Sequence, residues 1–159
     1  MAENNAKQES GTPDIDGYDP RDHPAHLVRR VHQRGVQLFT QEVLAPNLSV
    51  TQFVAMVTLL KSEPLTQSQL GKLTAMDPST ATVVVRKLVK DGLIRKTRDA
   101  NDQRASLITL TDAGRLCAKE HIPISIAAGD ALLSPLTRIE QTLFLELLRK
   151  VMESHTPEK

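Results

Sequence analysis

Apolar residues recur at steps of three and four along most of this chain, and that period predicts a mainly helical fold. The first such stretch begins after Pro24, and its apolar stripe consists of Val28, Val31, Leu38 and Phe39. A second stretch, from about 50 to 60, is apolar almost all round, so we expect it to lie in the middle of the core. The last stretch carries its apolar residues on one face: Leu136, Ile139, Leu143, Leu147 and Val151.

Two pairs of polar residues mark helix starts before the centre of the chain. Ser49 with Gln52, and Thr66 with Gln69, have the three-residue spacing of a capping box. In that motif a hydroxyl and an amide satisfy backbone N–H groups that have no partner inside the helix. The helix that begins after Thr66 is predicted to be short and to end near residue 75.

The next helix has clear start and stop signals. Asp77 is an acidic N-cap, and Pro78 occupies the first helical position, where its missing N–H is not needed. Gly92 suits the position just after the helix end. Residues 66–91 therefore predict a short helix, a tight turn and a second helix over 78–91, which is a helix-turn-helix.

After Gly92 the period becomes that of extended chain. Residues 93–98 and 105–110 predict two strands, joined by a turn-rich tip at 99–103. Thr111 is expected to cap a further helix that ends near residue 133, and Ser134-Pro135 to open the last one. A hairpin directly after a helix-turn-helix is a wing, so the predicted fold class is mainly α with a small β-hairpin wing, a winged helix-turn-helix.

The domain organisation follows from length and local composition. Residues 1–22 are acidic and almost free of apolar side chains, so they predict a flexible N-terminal arm. Residues 23–159 are enough for one hydrophobic core and predict a single domain. Cys117 is the only cysteine, which excludes an intrachain disulfide and fits a reducing compartment. The polar N-terminus is unlike a signal peptide, and we expect a cytoplasmic protein without membrane contact.

Charge is balanced overall but uneven along the chain. The 20 Lys and Arg nearly cancel the 19 Asp and Glu. Residues 86–104, however, hold seven bases and three acids. Such a local excess of positive charge can bind a polyanion such as a nucleic acid. A solvated, salt-bridged surface is the alternative interpretation of the same run.

The helix over 78–91 offers an outward face with nucleic-acid chemistry. Ala81, Val84 or Val85, and Leu88 should be buried. Short hydroxyls and cations on the other face can contact base edges or phosphates, and an exposed valine can pack on thymine methyl groups. The predicted contacts are Ser79, Thr80, Thr82, Val83, Arg86 and Lys87. The alternative for Ser79 and Thr80 is that they only cap their own helix.

The predicted wing supplies a second group of candidate DNA contacts. Arg104 near its tip can enter a minor groove, and Asp102 is placed to orient that guanidinium. Arg95, Lys96 and Arg98 on the first strand would contact phosphates, which adds affinity more than sequence choice.

These motifs together resemble the multiple-antibiotic-resistance regulator (MarR) family of bacterial transcription factors. The resemblance is carried by LSVTQF, LTQSQLGKL and DPSTATVVVRKLVKDGLIRK, and above all by the wing residues DQR followed by LTDAG. It implies a DNA-binding lobe over about 48–112 and a homodimer joined through helices at about 24–45 and 112–155. It also implies a pseudopalindromic double-stranded operator, with 78–91 as the recognition helix and Arg104 in the minor groove. Val83 departs from the polar residue common there, so operator sequence does not carry over.

The same resemblance implies a small effector, an aromatic acid or a phenol, that regulates a repressor. His26, Arg29 and Arg30 are candidates for binding its carboxylate, and Phe39 and Met56 for an apolar wall. Solvated surface charge is the alternative for the arginines.

Other function classes have weaker support in the sequence. The histidines near residue 30 lack the four-residue spacing of a compact helical metal site, so a metal-responsive regulator is only an alternative. A winged-helix module that binds proteins rather than DNA is another. Cys117 has no second cysteine to resolve an oxidised thiol, which disfavours redox sensing. No nucleophile, paired carboxylates or phosphate loop indicates an enzyme, and no cofactor is expected.

Overall fold

The computed structural model describes residues 17–42, 48–98 and 106–153, and within these ranges the chain is mainly helical. A short 3-10 helix at Pro20–Asp22 precedes the first α-helix. The elements are α1 (Pro24–Glu42), α2 (Val50–Ser62), β1 (Leu65–Thr66), α3 (Gln67–Leu73), α4 (Pro78–Lys90), β2 (Ile94–Arg98), β3 (Ser106–Leu110), α5 (Asp112–Leu133) and α6 (Arg138–Glu153). None of these helices is both long and apolar enough to cross a membrane. Of the predicted arm, residues 1–16 lie outside the described ranges.

The core forms where α2 meets α4, α5 and the sheet. Met56, Leu59, Leu88 and Ile108 are fully enclosed. The central position predicted for the second apolar stretch is therefore confirmed. Helix α5 packs on both α1 and α2. Removal of this much aliphatic surface from water is the main force that holds the lobe together.

The predicted helix starts of the lobe are confirmed. Ser49 and Thr66 each form a complete capping box with the glutamine three residues later. Asp77 caps α4, whose first residue is Pro78. Thr111 caps α5 by accepting from the N–H of Gly114 at 3.0 Å. Each cap satisfies backbone donors that would otherwise lack partners, which fixes where these helices begin.

The sheet has one strand more than the sequence predicts. Its order is β1-β3-β2, with all pairs antiparallel. The two predicted strands form the hairpin, and Leu65 and Thr66 add a third strand opposite Ile108 and Leu107. A strand of two residues is too short to show an alternating pattern in the sequence. Thr66 is also the N-cap of α3, so the sequence at this point predicted only the start of a helix.

The predicted start of the last helix is wrong. Ser134 and Leu136 belong to a turn that continues from α5, in which Leu136 N–H donates to Leu133 O at 2.9 Å. Helix α6 begins at Arg138 instead. Thr137 and Glu140 exchange hydrogen bonds three residues apart, with Thr137 N–H donating to Glu140 Oε2 at 2.8 Å. The sequence contains this capping-box spacing, which places the start of α6 after Thr137 and not at Pro135.

Helices, sheet and wing meet at one junction below the hairpin, which we call the wing root. Thr111 Oγ1 donates to Gly92 O at 2.7 Å, and Thr111 N–H donates to Leu93 O at 3.1 Å. Glu63, just past α2, accepts from the N–H of Leu110 at 2.6 Å and forms an ion pair with Arg115 of α5. The wing root thus ties the ends of α2 and α4 to β3 and to the first turn of α5.

Candidate nucleic-acid interface

Helix α4 has the two faces that its sequence predicts. Ala81, Val84, Val85 and Leu88 are buried against the lobe. The opposite face is polar apart from two exposed valines, Val83 at 54% and Val89 at 42%. Ser79, Thr82, Val83 and Arg86 are exposed, and Thr80 and Lys87 are half-buried. All six candidate contacts on α4 therefore reach the surface.

The hydroxyl hydrogens on this face are already used within the helix. Ser79 Oγ donates to Asp77 Oδ1 at 2.5 Å, and Thr80 Oγ1 donates to Asp77 Oδ2 at 2.6 Å. Thr82 Oγ1 donates to Pro78 O at 2.8 Å. What these residues offer outward is oxygen lone pairs, which suit the amino groups of adenine and cytosine rather than phosphates. Ser79 and Thr80 thus support the cap of α4 and still present acceptors to the surface.

Asp77 changes the electrostatics of the helix start. Hydrogen bonds from the Ser79 and Thr80 hydroxyls hold the pKa of this carboxyl far below its ordinary value. Its charge also satisfies the N–H groups of Ser79 and Thr80, each at 2.9 Å. The Asp77 carboxylate therefore already binds the N–H groups at the start of α4, where a phosphate would otherwise be attracted.

Beside α4 lies a groove that opens toward the start of α2. It has a volume of about 700 Å³ and is lined by Ser49, Thr51, Gln52, Thr80, Val83, Val84, Arg86, Lys87 and Lys90. Lys87 is held within the helix by Asp91, with Nζ to Oδ2 at 2.7 Å. The groove thus combines an apolar floor with a cationic rim along α4.

The first wing strand divides its three cations between two faces. Arg95, Lys96 and Arg98 are all exposed. Side chains alternate along a strand, so Arg95 points away from the face shared by Lys96 and Arg98. Its Nε donates to Thr109 Oγ1 across the hairpin at 3.1 Å. Lys96 and Arg98 therefore share one face of β2, and Arg95 lies on the other. Asp102 and Arg104 lie outside the described residues.

Sequence reasoning missed Gln67, the first residue of α3. Its side chain contacts Thr82 on α4 and Lys96 on β2, two of the predicted DNA contacts. The partners lie 15 and 29 residues further along the chain. Only the tertiary structure brings them together, and no local motif could have indicated it.

The residues predicted for an effector fall into two separate places. His26, Arg29 and Arg30 lie near the start of α1, where the arginines are exposed and His26 is half-buried. Phe39 is 4% exposed, and its ring centroid lies 5.1 Å from that of Phe53. Met56 is fully enclosed. Ten residues of helix separate Arg29 from Phe39, about 15 Å. One small ligand spans that distance only if long side chains or a second protomer bring the groups together.

Helix α5 carries a buried imidazole that sequence reasoning left without a role. His121 is 4% exposed, and its Nδ1 lies 2.8 Å from the carbonyl oxygen of Cys117. A carbonyl only accepts, so we assign the ring hydrogen to Nδ1, which leaves Nε2 as an acceptor. Nε2 has no hydrogen-bond partner among the described residues. Burial raises the pKa of the Cys117 thiol, which makes it a poor nucleophile.

No metal-binding cluster of three or more His, Cys, Asp or Glu residues occurs in the part of the chain that the structure describes.

Comparison with known proteins decides the family. The MarR family model matches residues 48–106, the stretch from the α2 cap into the wing. The transcriptional repressor NicR of Pseudomonas putida is 31% identical over 137 residues, which are 86% of this chain and 87% of NicR. The chain belongs to the MarR family. It is therefore a transcriptional regulator whose DNA-binding unit is the winged helix described above.

Solved structures of MarR-type regulators have the same architecture. BpsR of Bordetella bronchiseptica, whose DNA binding is regulated by 6-hydroxynicotinic acid, is 30% identical with a TM-score of 0.80, over 85% of this chain and 96% of BpsR. PcaV of Streptomyces coelicolor, solved with its natural ligand, is 32% identical with a TM-score of 0.78, over 87% of this chain and 98% of PcaV. The resemblance inferred from the sequence motifs is confirmed.

Proposed function

We propose that this MarR regulator is a homodimeric repressor, and that each protomer inserts α4 into the major groove of a pseudopalindromic operator. The observation that carries the proposal is the exposed polar face of α4 beside the cations of β2. Ser79, Thr82, Val83 and Arg86 would meet base edges, and Lys96 and Arg98 the backbone. Arg104 would enter the adjacent minor groove. Because the target is chromosomal DNA, the protein would act in the cytoplasm.

The terminal helices support a dimer. No residue of α6 is buried, although Ile139, Leu143 and Leu147 recur every four residues along one face. They are 82%, 51% and 52% exposed. Leu27, Val28 and Val31 of α1 are exposed as well. A contiguous apolar stripe of this kind marks an association surface. A second copy would cover it and set the spacing of the two recognition helices.

The effector we propose is a small aromatic acid with a hydroxyl or ring N–H donor. The regulation of BpsR by 6-hydroxynicotinic acid supports this chemical class. On this chain, His121 holds an acceptor nitrogen in a buried place on α5. A donor on the ligand would satisfy that nitrogen, and His26, Arg29 or Arg30 from the second protomer would hold the carboxylate. A ligand that favours one arrangement of the dimer lowers DNA affinity by its differential binding to the two arrangements.

DNA binding is tested by selection of duplexes from a random-sequence pool with the full-length protein. We expect an enriched inverted repeat that is retarded in gel shifts, with affinity that falls steeply as salt rises. The control is Arg149→Gln on the outer surface of α6, which should bind equally well. Absence of any enriched sequence would contradict the DNA-binding proposal.

The effector is tested with 6-hydroxynicotinic acid and 4-hydroxybenzoic acid, with benzoic acid as the control that lacks the hydroxyl donor. The hydroxy acids should raise the melting temperature and release the selected duplex, and benzoic acid should do so much less. His121→Phe should keep DNA binding and lose the discrimination between the acids. Equal responses to all three acids would contradict the role of His121.

A further inference from the structure

One amide side chain joins the recognition helix to the wing. Gln67 Nε2 donates to Thr82 Oγ1 at 2.9 Å, and Gln67 Oε1 accepts from Lys96 Nζ at 3.0 Å. Thr82 lies on α4 and Lys96 on β2, the two elements that the proposed function places on DNA. We call these three side chains the Gln67 bridge.

Apolar packing does not fill the space at the bridge. A cavity of about 350 Å³ lies between α4, the start of α3 and β2, and its walls are Gln67, Thr82, Val85, Arg86, Val89 and Lys96. Lysine and glutamine side chains have several free rotamers each, and an open cavity does not restrict them. The hydrogen bonds of the Gln67 bridge therefore set the positions of the Thr82 hydroxyl and the Lys96 ammonium.

The donors and acceptors of the Gln67 bridge match only for a neutral amide. The hydroxyl hydrogen of Thr82 goes to Pro78 O at 2.8 Å, so its oxygen must accept at the bridge. The ammonium of Lys96 can only donate. An amide supplies one donor for the first and one acceptor for the second, whereas a carboxylate would have no hydrogen to give Thr82.

We infer that Gln67 is a positioning residue for DNA binding, which holds Thr82 and Lys96 at the separation that one duplex requires. This inference rests on the proposed function. Groups that are ordered before binding lose less rotamer entropy when the complex forms, so the Gln67 bridge raises affinity without a DNA contact of its own. Two of the three Lys96 N–H donors stay available for a phosphate.

The test is the affinity of full-length variants for the duplex selected by the wild-type protein, measured by fluorescence anisotropy at one salt concentration. Gln67→Met keeps the length of the side chain and removes both hydrogen bonds. We expect Kd to rise about fivefold to tenfold, because the Thr82 and Lys96 side chains must then lose rotamer freedom when the complex forms. The melting temperature should fall only slightly, because both lost hydrogen bonds are exposed to solvent. Ser68→Met, at the next and exposed position, is the matched control and should bind normally.

A mutant cycle separates positioning from direct contact. In the Thr82→Val/Lys96→Met background the Gln67 bridge has already lost both ends, so a further Gln67→Met should leave Kd unchanged. The same fold-increase in both backgrounds would overturn the inference, and so would normal affinity of Gln67→Met in the wild-type background. If the methionine variant is unstable, Gln67→Ala replaces it in the same cycle. Failure of the wild-type protein to select any duplex would instead contradict the proposed function.

Discussion

The lobe around α4 and the terminal helix α6 differ in where their apolar side chains find partners. In the lobe, Leu59, Leu70 and Leu88 are enclosed by the chain itself. Helix α6 has a comparable supply of leucines, yet none of its residues is buried. The hydrophobic effect is the same in both regions. The lobe is therefore enclosed by its own contacts, whereas the apolar side chains of α6 remain exposed in one protomer.

The largest effect should come from charges placed on α6. Leu143→Glu with Leu147→Glu removes four leucines from a two-fold interface, and each is worth about 1.5 kcal/mol or more when buried. We expect the free energy of dimerisation to be less favourable by about 6 kcal/mol. The double variant should then be a folded monomer in light scattering and bind the operator more weakly. Arg149→Gln, on the other side of α6, is the control. A double variant that stays dimeric would mean that α6 is not the interface.

The second largest effect should be a destabilised lobe with the exposed surface of α6 unchanged. A Cβ on Gly114, in the first turn of α5, would overlap the carbonyl oxygen of Leu93 at the wing root. Neither backbone segment can yield cheaply, so Gly114→Ala should lower the free energy of unfolding by about 3 kcal/mol or more in urea denaturation. Gly129→Ala on the same helix meets open space and should be neutral or slightly stabilising. Equal stability of the two variants would contradict this packing.

A smaller effect on stability is expected at Ala75, in the turn between α3 and α4. Ala75 has φ of 53°, a left-handed conformation that disfavours any residue with a Cβ. Ala75→Gly should raise the free energy of unfolding by up to about 1 kcal/mol. Gly92, with φ of 71°, is the reciprocal control, because Gly92→Ala should lower the free energy of unfolding by a similar amount. Destabilisation by Ala75→Gly would show that the turn is not strained.

The smallest effect concerns the cap of α4. Because the pKa of Asp77 is lowered in the folded protein, its contribution to stability is complete above the ordinary value of 3.8 and is lost as pH falls below it. The melting temperature of the wild type should therefore exceed that of Asp77→Ala at about pH 6, and the difference should shrink at about pH 3. A difference that stays constant with pH would assign the cap to geometry rather than to charge.

The sequence predicted best what depends on neighbours in the chain. The caps at Ser49, Thr66, Asp77 and Thr111 involve residues two or three positions apart, and all four are as predicted. The start of α6 was predictable too, from Thr137 and its partner three residues on. The outward face of α4 followed from helical periodicity alone.

What the sequence did not show depends on distant partners. Strand β1 exists because β3 lies beside it, and Gln67 matters because α4 and β2 converge on it. The acceptor nitrogen of His121 stands out only because the packed helices enclose it. The sequence also did not show that two of the five predicted effector residues, Phe39 and Met56, lie in the packed core. The role of all five in effector binding stays a prediction.

Glu63 links the base of the wing to the long helix α5. One oxygen of its carboxylate takes the place of a strand neighbour for Leu110, and the other holds the first turn of α5 through Arg115. This one carboxylate therefore bonds to both β3 and α5. A displacement of α5 would act on the base of the hairpin through these two bonds as well as through the connecting chain.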